Sequence, residues 1–315
     1  MSPRTAHEMS ADPVELLREQ EDQARPEQPR RPRRYSATQG VGAGVEVLSN
    51  PSSTRVARVA GLARRQSRAK HRRFVVEGPQ GVREAVRFAP ERVLDVYLTE
   101  AAAERHSAIW LEAGDAGLYR HLVSEPVMAA MSSDAQGVLA VVAMGEASGS
   151  EALAAAVEGA TLVAVLTEAQ DPGNAGTIIR AADAAGADAV VLVRGSAEAT
   201  SPKVVRASAG SLFHLPVVSG VALDDVVEAL HGAGLSVLAA DGRGGIDLFD
   251  SGDLLGRPCA WLLGNEARGV APEALSRADA VVSIPLYGRA ESLNVAAAAA
   301  VCLYASARAQ RGGAA

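Results

Sequence analysis

Aromatic residues make up only 3% of the 315-residue chain, and cysteine occurs twice. So few aromatics argue against a stacking platform of the kind that reads single-stranded bases; a bound nucleic acid would be met through its phosphates and through guanidinium planes. Cys259 and Cys302 lie in apolar stretches without metal-ligand spacing. That pattern argues against a disulfide framework or a metal centre and predicts two buried small hydrophobes in a reducing compartment. Long apolar runs are missing as well. The longest, around Val295 to Tyr304, is about half of the roughly 20 residues needed to span a bilayer. With a charged, not signal-like, N-terminus, no membrane association and a cytoplasmic protein are expected. There is no G-x-G-x-x-G after the first strand of the second half and no G-x-x-x-x-G-K-[ST], so a nicotinamide enzyme or a nucleoside triphosphatase loses ground.

What is present is unevenly distributed. The net charge is −6, yet Pro51 to Arg73 carries eight cations (Arg55, Arg58, Arg64, Arg65, Arg68, Lys70, Arg72 and Arg73) and no acid. Such a segment is either the footprint of a polyanion met at one place or a solvated helix face. Residues 1–44 mix Pro, Arg, Glu and Gln with few large apolar side chains, which predicts a disordered tail. Residues 45–144 alternate helical and strand signals: a basic helix through "TRVARVAGLARRQSR", strands at "RFVVEG", "VLDVYLT" and "GVLAVVAM", and helices at 80–88 and near 101–113. They predict a small α/β domain. The Gly-rich segment 145–159 reads as a linker with helical potential in its middle.

From residue 160 the strand candidates are apolar throughout and mostly separated by helices: "TLVAVLT", "DAVVLV", "HLPVV", "LSVLAAD", "CAWLLG" and "AVVSIPL". Continuous apolar strands mean a mostly parallel sheet covered on both faces, with ligands bound outside the strands' carboxyl ends. Three loops after strands share an odd composition. In "TEAQDPGNAGTIIRAADAAGA", Asn174 reads as a helix cap with Arg180 one turn in, where anions are favoured. In "LLGNEARGVAPE", Gly264 permits close approach to the backbone and Glu266 is either a ligand group or a helix-leading acid. In "IPLYGRAESLNV", Ser292 reads as the cap of the final helix, which leaves the other polar residues surplus to folding.

Taken together, N-x-G-x-x-x-R-x-A at Asn174 to Ala182, G-N-E-x-x-G at Gly264 to Gly269 and I-P-x-x-G-x-x-x-S-L-N-V at Ile284 to Val295 resemble the three motifs of the SpoU (TrmH) family of RNA ribose 2′-O-methyltransferases. The resemblance covers about the last 155 residues, and the joint occurrence in this order is specific although each motif alone is weak. "RFVVEGPQGVREAV" and "MSSDAQGVLAVV" resemble that family's N-terminal substrate-binding domain, which is like a ribosomal RNA-binding protein. The tail has no counterpart, and alanines follow Val295 where many relatives have a further serine.

The resemblance implies a SPOUT fold with a C-terminal trefoil knot over residues 160–315, S-adenosylmethionine as methyl donor, an RNA substrate (ribosomal in preference to transfer RNA) and a homodimer through the C-terminal domain. The cofactor would be held by Ala239, Ala240, Asp241 and Gly242, by Leu263, Gly264, Asn265 and Glu266, and by Ile284, Leu286, Gly288, Ser292 and Leu293. Asn174, Arg180, Glu266, Ser292 and Asn294 would surround the target nucleotide. A guanidinium is a poor base, so Arg180 is expected to clamp the RNA phosphate and stabilise the developing alkoxide. Aligning hydroxyl and methyl is the larger contribution, about 7–11 kcal/mol, against roughly 10² to 10⁴-fold from acid–base help. The eight cations of the basic segment and Arg289 would contact RNA. Lys203 and Arg206, early in a helix begun by Ser201 and Pro202, would line its path, while His214 and His231 are expected to be structural or exposed. The competing readings are an inactive RNA-binding or ribosome-assembly factor on the same fold and, from another class, a nicotinamide-dependent oxidoreductase.

Overall fold

Residues 46–145, 149–265 and 268–312 are described by a computed structural model; the tail 1–44 and Glu266 lie outside them. The first sheet contains β1 (Val47–Leu48), β2 (Arg73–Glu77), β3 (Val93–Thr99), β4 (Tyr119–Val123) and β5 (Val138–Ala143), in the order β1-β4-β3-β5-β2. β5 runs antiparallel to both of its neighbours, and the remaining pairs are parallel. Around it lie α1 (Thr54–Gly61), α2 (Arg65–His71), α3 (Pro79–Phe88), α4 (Glu100–Arg105), α5 (Ser107–Asp115) and α6 (Glu125–Met131).

Two expected helices are each divided. The basic segment forms α1 and α2, because Arg64 takes an extended conformation between them. The 101–113 stretch breaks at His106, whose φ of −118° and ψ of 42° lie outside the helical region. Ser53 starts α1 by accepting a hydrogen bond from the Val56 amide at 3.4 Å, the usual satisfaction of an orphan first-turn donor.

The second sheet is parallel throughout: β6 (Leu162–Leu166), β7 (Ala189–Val193), β8 (Val217–Val221), β9 (Ser236–Ala240), β10 (Ile246–Asp247), β11 (Cys259–Leu263) and β12 (Ala280–Ser283), in the order β10-β12-β9-β11-β6-β7-β8. Its helices are α7 (Ser150–Val157), α8 (Pro172–Ala185), α9 (Pro202–Ala207), α10 (Leu223–Gly232), α11 (Gly252–Leu255), α12 (Pro272–Leu275) and α13 (Val295–Gly312). Strand periodicity sends alternate side chains to opposite faces. On β6, Leu162, Ala164 and Leu166 join the core containing Ile178, Ile179 and Leu303, while Val163 and Val165 join the one containing Leu153 and Leu230. Both faces are thus covered, as the continuous apolar strands require. The segment 145–159 is more than a linker: Leu153 and Val157 of α7 are buried in the second core.

Cys259 and Cys302 are free and buried. Burial pushes both thiols up, Cys302 to about 12, so they act as small hydrophobes. Ser306 accepts a 2.9 Å hydrogen bond from the Trp261 indole and satisfies that buried donor.

The connection from β7 to β8 ties the two sheets together. Glu198 receives Arg68 through two bonds of 2.9 and 2.7 Å. Arg206 reaches Glu77 and, at 3.1 Å, Asp134. Phe213 stacks on Phe74, and His214 lies between Glu84 and Asp183.

Candidate active site

A cavity of about 330 Å³ opens beyond the carboxyl ends of β9, β11 and β12, where ligands of parallel sheets bind. Three loops line it: Ala240 to Arg243 after β9; Gly264, Asn265, Arg268 and Gly269 after β11; and Ile284, Leu286 and Glu291 to Leu293 after β12, with Val295 and Ala298 of α13 behind them. Of the residues expected to hold a cofactor, Ala240, Asp241, Gly242, Gly264, Asn265, Ile284, Leu286, Ser292 and Leu293 line this space. Ala239 and Leu263 are buried in the strands beneath, and Gly288 is exposed outside the lining.

Local geometry explains why these residue types occupy the loops. A side chain on Gly264 would bring a β-carbon within 2.2 Å of the Gly269 backbone, and Gly269 has a φ of 69° that glycine adopts without strain. Asn265 and Gly269 exchange two backbone hydrogen bonds of 2.8 Å and close the loop between them. Asn265 also donates from its side chain to the Glu168 carbonyl at 3.2 Å. Arg268 approaches the Glu168 carboxylate at 3.2 Å.

Asp241 binds the Arg243 guanidinium at 2.7 and 2.9 Å and also accepts from the amides of Arg243 and Val270. The Arg243 bonds hold its carboxyl below the ordinary carboxylate range, since each of them favours the charged form.

Two expected caps move by a few residues. Asp171, not Asn174, starts α8: its carboxylate accepts from the Asn174 amide at 2.9 Å and from Lys203 at 3.2 Å. The Asn174 amide bond, with Lys203, holds Asp171 below its usual range. Because α8 begins at Pro172, Arg180 sits more than two turns in, beyond the reach of the helix terminus. Arg180 is exposed, without a hydrogen bond or ion pair among the described residues, and is not part of the cavity lining.

Likewise Asn294, not Ser292, caps α13, accepting from the amides of Ala296 and Ala297 at 2.9 and 3.4 Å. The same side chain donates to the Asn174 carboxamide at 3.1 Å. One asparagine therefore starts the last helix and joins the first and third motif loops, leaving Ser292 exposed at the cavity.

Outside the cavity the basic residues divide. Arg55, Arg58, Arg64, Arg65, Lys70, Arg72 and Arg73 are exposed, as is Arg289. Arg68 is only 3% exposed; besides Glu198 it donates to the carbonyls of Leu62 and Ala63. It is an internal strut, contrary to the expected RNA contact, because the side chain is buried and four of its five N–H donors are engaged within the fold. Arg206 is likewise engaged by Glu77 and Asp134 and Lys203 by Asp171. Arg243 and Arg268, both in the lining, escaped the sequence reading. Their position just past the ends of adjacent parallel strands was the available signal.

The cavity's volume falls at the small end of ligand sites, and its lining mixes apolar side chains with convergent polar groups. An adenosyl group fits that chemistry, with Ala240, Ile284, Leu286 and Leu293 as apolar walls. Among the described residues no cluster of metal-ligating side chains occurs, and no helix is long and apolar enough to cross a membrane.

The model of the SpoU rRNA Methylase family matches residues 161–304. The chain is 36% identical over 245 residues to the 23S rRNA (guanosine(2553)-2′-O)-methyltransferase RlmP of Bacillus subtilis, covering 77% of this chain and 92% of that protein. The crystal structure of the SpoU methyltransferase AviRb from Streptomyces viridochromogenes superposes with a TM-score of 0.71 at 29% identity, over 83% of this chain and 99% of that one. An AdoMet-bound rRNA methyltransferase from Sinorhizobium meliloti gives 0.68 at 28% identity, over 84% and 97%.

Proposed function

The chain belongs to the SpoU rRNA methylase family, and from that premise we propose that it transfers the methyl group of S-adenosylmethionine to a ribose 2′-hydroxyl of ribosomal RNA. The observation that carries the reading is the meeting of the three motif loops: Asn294 bonds Asn174 at 3.1 Å, and the second and third loops share one cavity. S-Adenosylmethionine, when bound, supplies an electrophilic methyl group. Ala240, Gly242, Gly264, Ile284, Leu286 and Leu293 would hold it, with glycines where the ligand must approach the backbone.

The chain's own part in the reaction is chiefly positioning. Asn174 and Asn294 fix the two loops that flank the target ribose. Ser292, exposed at the cavity edge, binds the ribose or its phosphate, and Glu266 orients the hydroxyl or Arg180. Arg180, exposed and unpaired among the described residues, clamps an RNA phosphate and offsets charge as the alkoxide develops.

The same reading extends to organisation. Residues 45–144 form the RNA-binding domain, with Arg55, Arg58, Arg64, Arg65, Lys70, Arg72 and Arg73 facing phosphates and Arg289 a further contact nearer the cavity. Residues 160–315 form the methyltransferase domain. A trefoil knot is supported by strand order, since β12 lies beyond β9 while α13 packs back across β11 and β6. A homodimer through this domain is part of the same reading; the exposed aromatics available to it are Phe249, Tyr287 and Tyr304. The protein would act in the cytoplasm.

Incubating unmodified ribosomal and transfer RNA with labelled S-adenosylmethionine, then mapping bonds resistant to alkali, tests the activity. Label confined to a 2′-O-methylated ribosomal nucleotide is the expected result. No transfer, with the cofactor bound, would leave the inactive binder instead.

A further inference from the structure

The cavity lining mixes chemistries. Beside apolar side chains and the neutral Asn265 and Ser292, Arg243, Arg268 and Glu291 bring three charges to the same cavity. Asp241 is no fourth ligand group. Only 6% of its side chain is exposed, and it is engaged by Arg243 and by two backbone amides. It acts as a brace that aims Arg243 and ties the loop after β9 to the one after β11.

The arginines keep donors to spare. Arg243 faces Asp241 with Nε and Nη2 and touches the Val270 carbonyl, so its Nη1 group makes no bond among the described residues. Arg268 meets Glu168 through Nη2 alone, and a guanidinium has five N–H donors. Their side chains are 64% and 66% exposed. Glu291 is exposed, with no hydrogen bond or ion pair among the described residues. Arg268 and Glu291 occupy open positions of their motifs, and Arg243 lies outside all three.

We infer that Arg243, Arg268 and Glu291 form a subsite for a zwitterion, the α-carboxylate against the two guanidiniums and the α-ammonium against Glu291, which is the amino-acid end of an adenosyl cofactor. The assignment rests on the proposed cofactor and specifies which residues read its charged end. An RNA phosphodiester would satisfy the arginines but be repelled by Glu291, so the mixed charge of the lining favours the zwitterion.

Calorimetric titration of the full chain with S-adenosylhomocysteine and with 5′-methylthioadenosine isolates this end, because the second compound lacks it and neither carries a sulfonium. Arg268→Ala and Glu291→Gln, whose removal strands no buried charge, are each expected to weaken S-adenosylhomocysteine binding about ten- to a hundredfold. Binding of 5′-methylthioadenosine should stay within about twofold of wild type. Arg243→Lys, which keeps the charge beside Asp241, should show a smaller loss with the same selectivity. Equal losses for both compounds, or no loss for either, overturn the assignment. So does unchanged S-adenosylhomocysteine binding with a raised KM for RNA. A wild-type protein that binds neither compound would instead sink the cofactor reading itself.

Discussion

The two sheets present their polar chemistry in different ways. In the seven-stranded parallel sheet, helices cover both faces and the polar surplus collects in loops at one end. Around the five-stranded sheet the cations sit on helices and a strand end, spread over a surface instead of converging on a cavity. A parallel sheet buries its strands on both faces, so function concentrates at their ends. A polyanion-binding surface needs only exposed charge in rough register with phosphates. The cavity therefore depends on the placement of single residues, and the basic surface on their sum.

The sharpest break of that contrast is Arg180→Ala, expected to lower kcat by about 10² to 10³-fold while calorimetric affinity for S-adenosylmethionine stays unchanged. Normal turnover would remove Arg180 from the mechanism. Next is Arg68→Ala, the member of the basic segment whose role is internal. Losing its paired bonds to Glu198 should cost about 2–3 kcal/mol, seen as a melting temperature lower by roughly 5–10 °C. An unchanged melting temperature would return Arg68 to the surface group.

Arg58→Ala, Arg64→Ala and Lys70→Ala should leave stability unchanged. Each should reduce the slope of log affinity for RNA against log salt by about 0.7–0.9. An unaltered slope would make this segment a solvated face only.

The smallest effect concerns pH. Asp241 has a depressed pKa in the fold, so its stabilising contribution is complete above the unfolded carboxylate value and is lost as pH falls through the depressed one. Asp241→Asn should therefore be destabilised at neutral pH yet lose less stability than wild type on acidification, as followed by denaturant titration at several pH values.

Much of the second sheet was legible because its strands read as unbroken apolar runs; β6, β7 and β11 are buried at every position. β4 was not, since Arg120 and His121 interrupt its pattern. Arg120 is nevertheless buried, donating to the Trp110 carbonyl and lying 4.6 Å from that ring. β1 and β10 have two residues each, too few for any period to show. At the site, residue types pointed to the right loops, but Asp171 and Asn174, like Ser292 and Asn294, are competent caps within three residues of each other. Propensity alone does not choose between such neighbours. The strut role of Arg68 was invisible because its partner lies 130 residues away, and composition reports charge without its destination.

The link between the sheets bears on how the protein is made. Glu198, Arg206, Phe213 and His214, which grip the first sheet, are encoded well after the last strand they help to secure. A ribosome translating this message has finished every strand of that sheet before the clasp emerges from its exit tunnel. The newborn N-terminal half must therefore hold its shape unaided, or wait, until synthesis has passed residue 214.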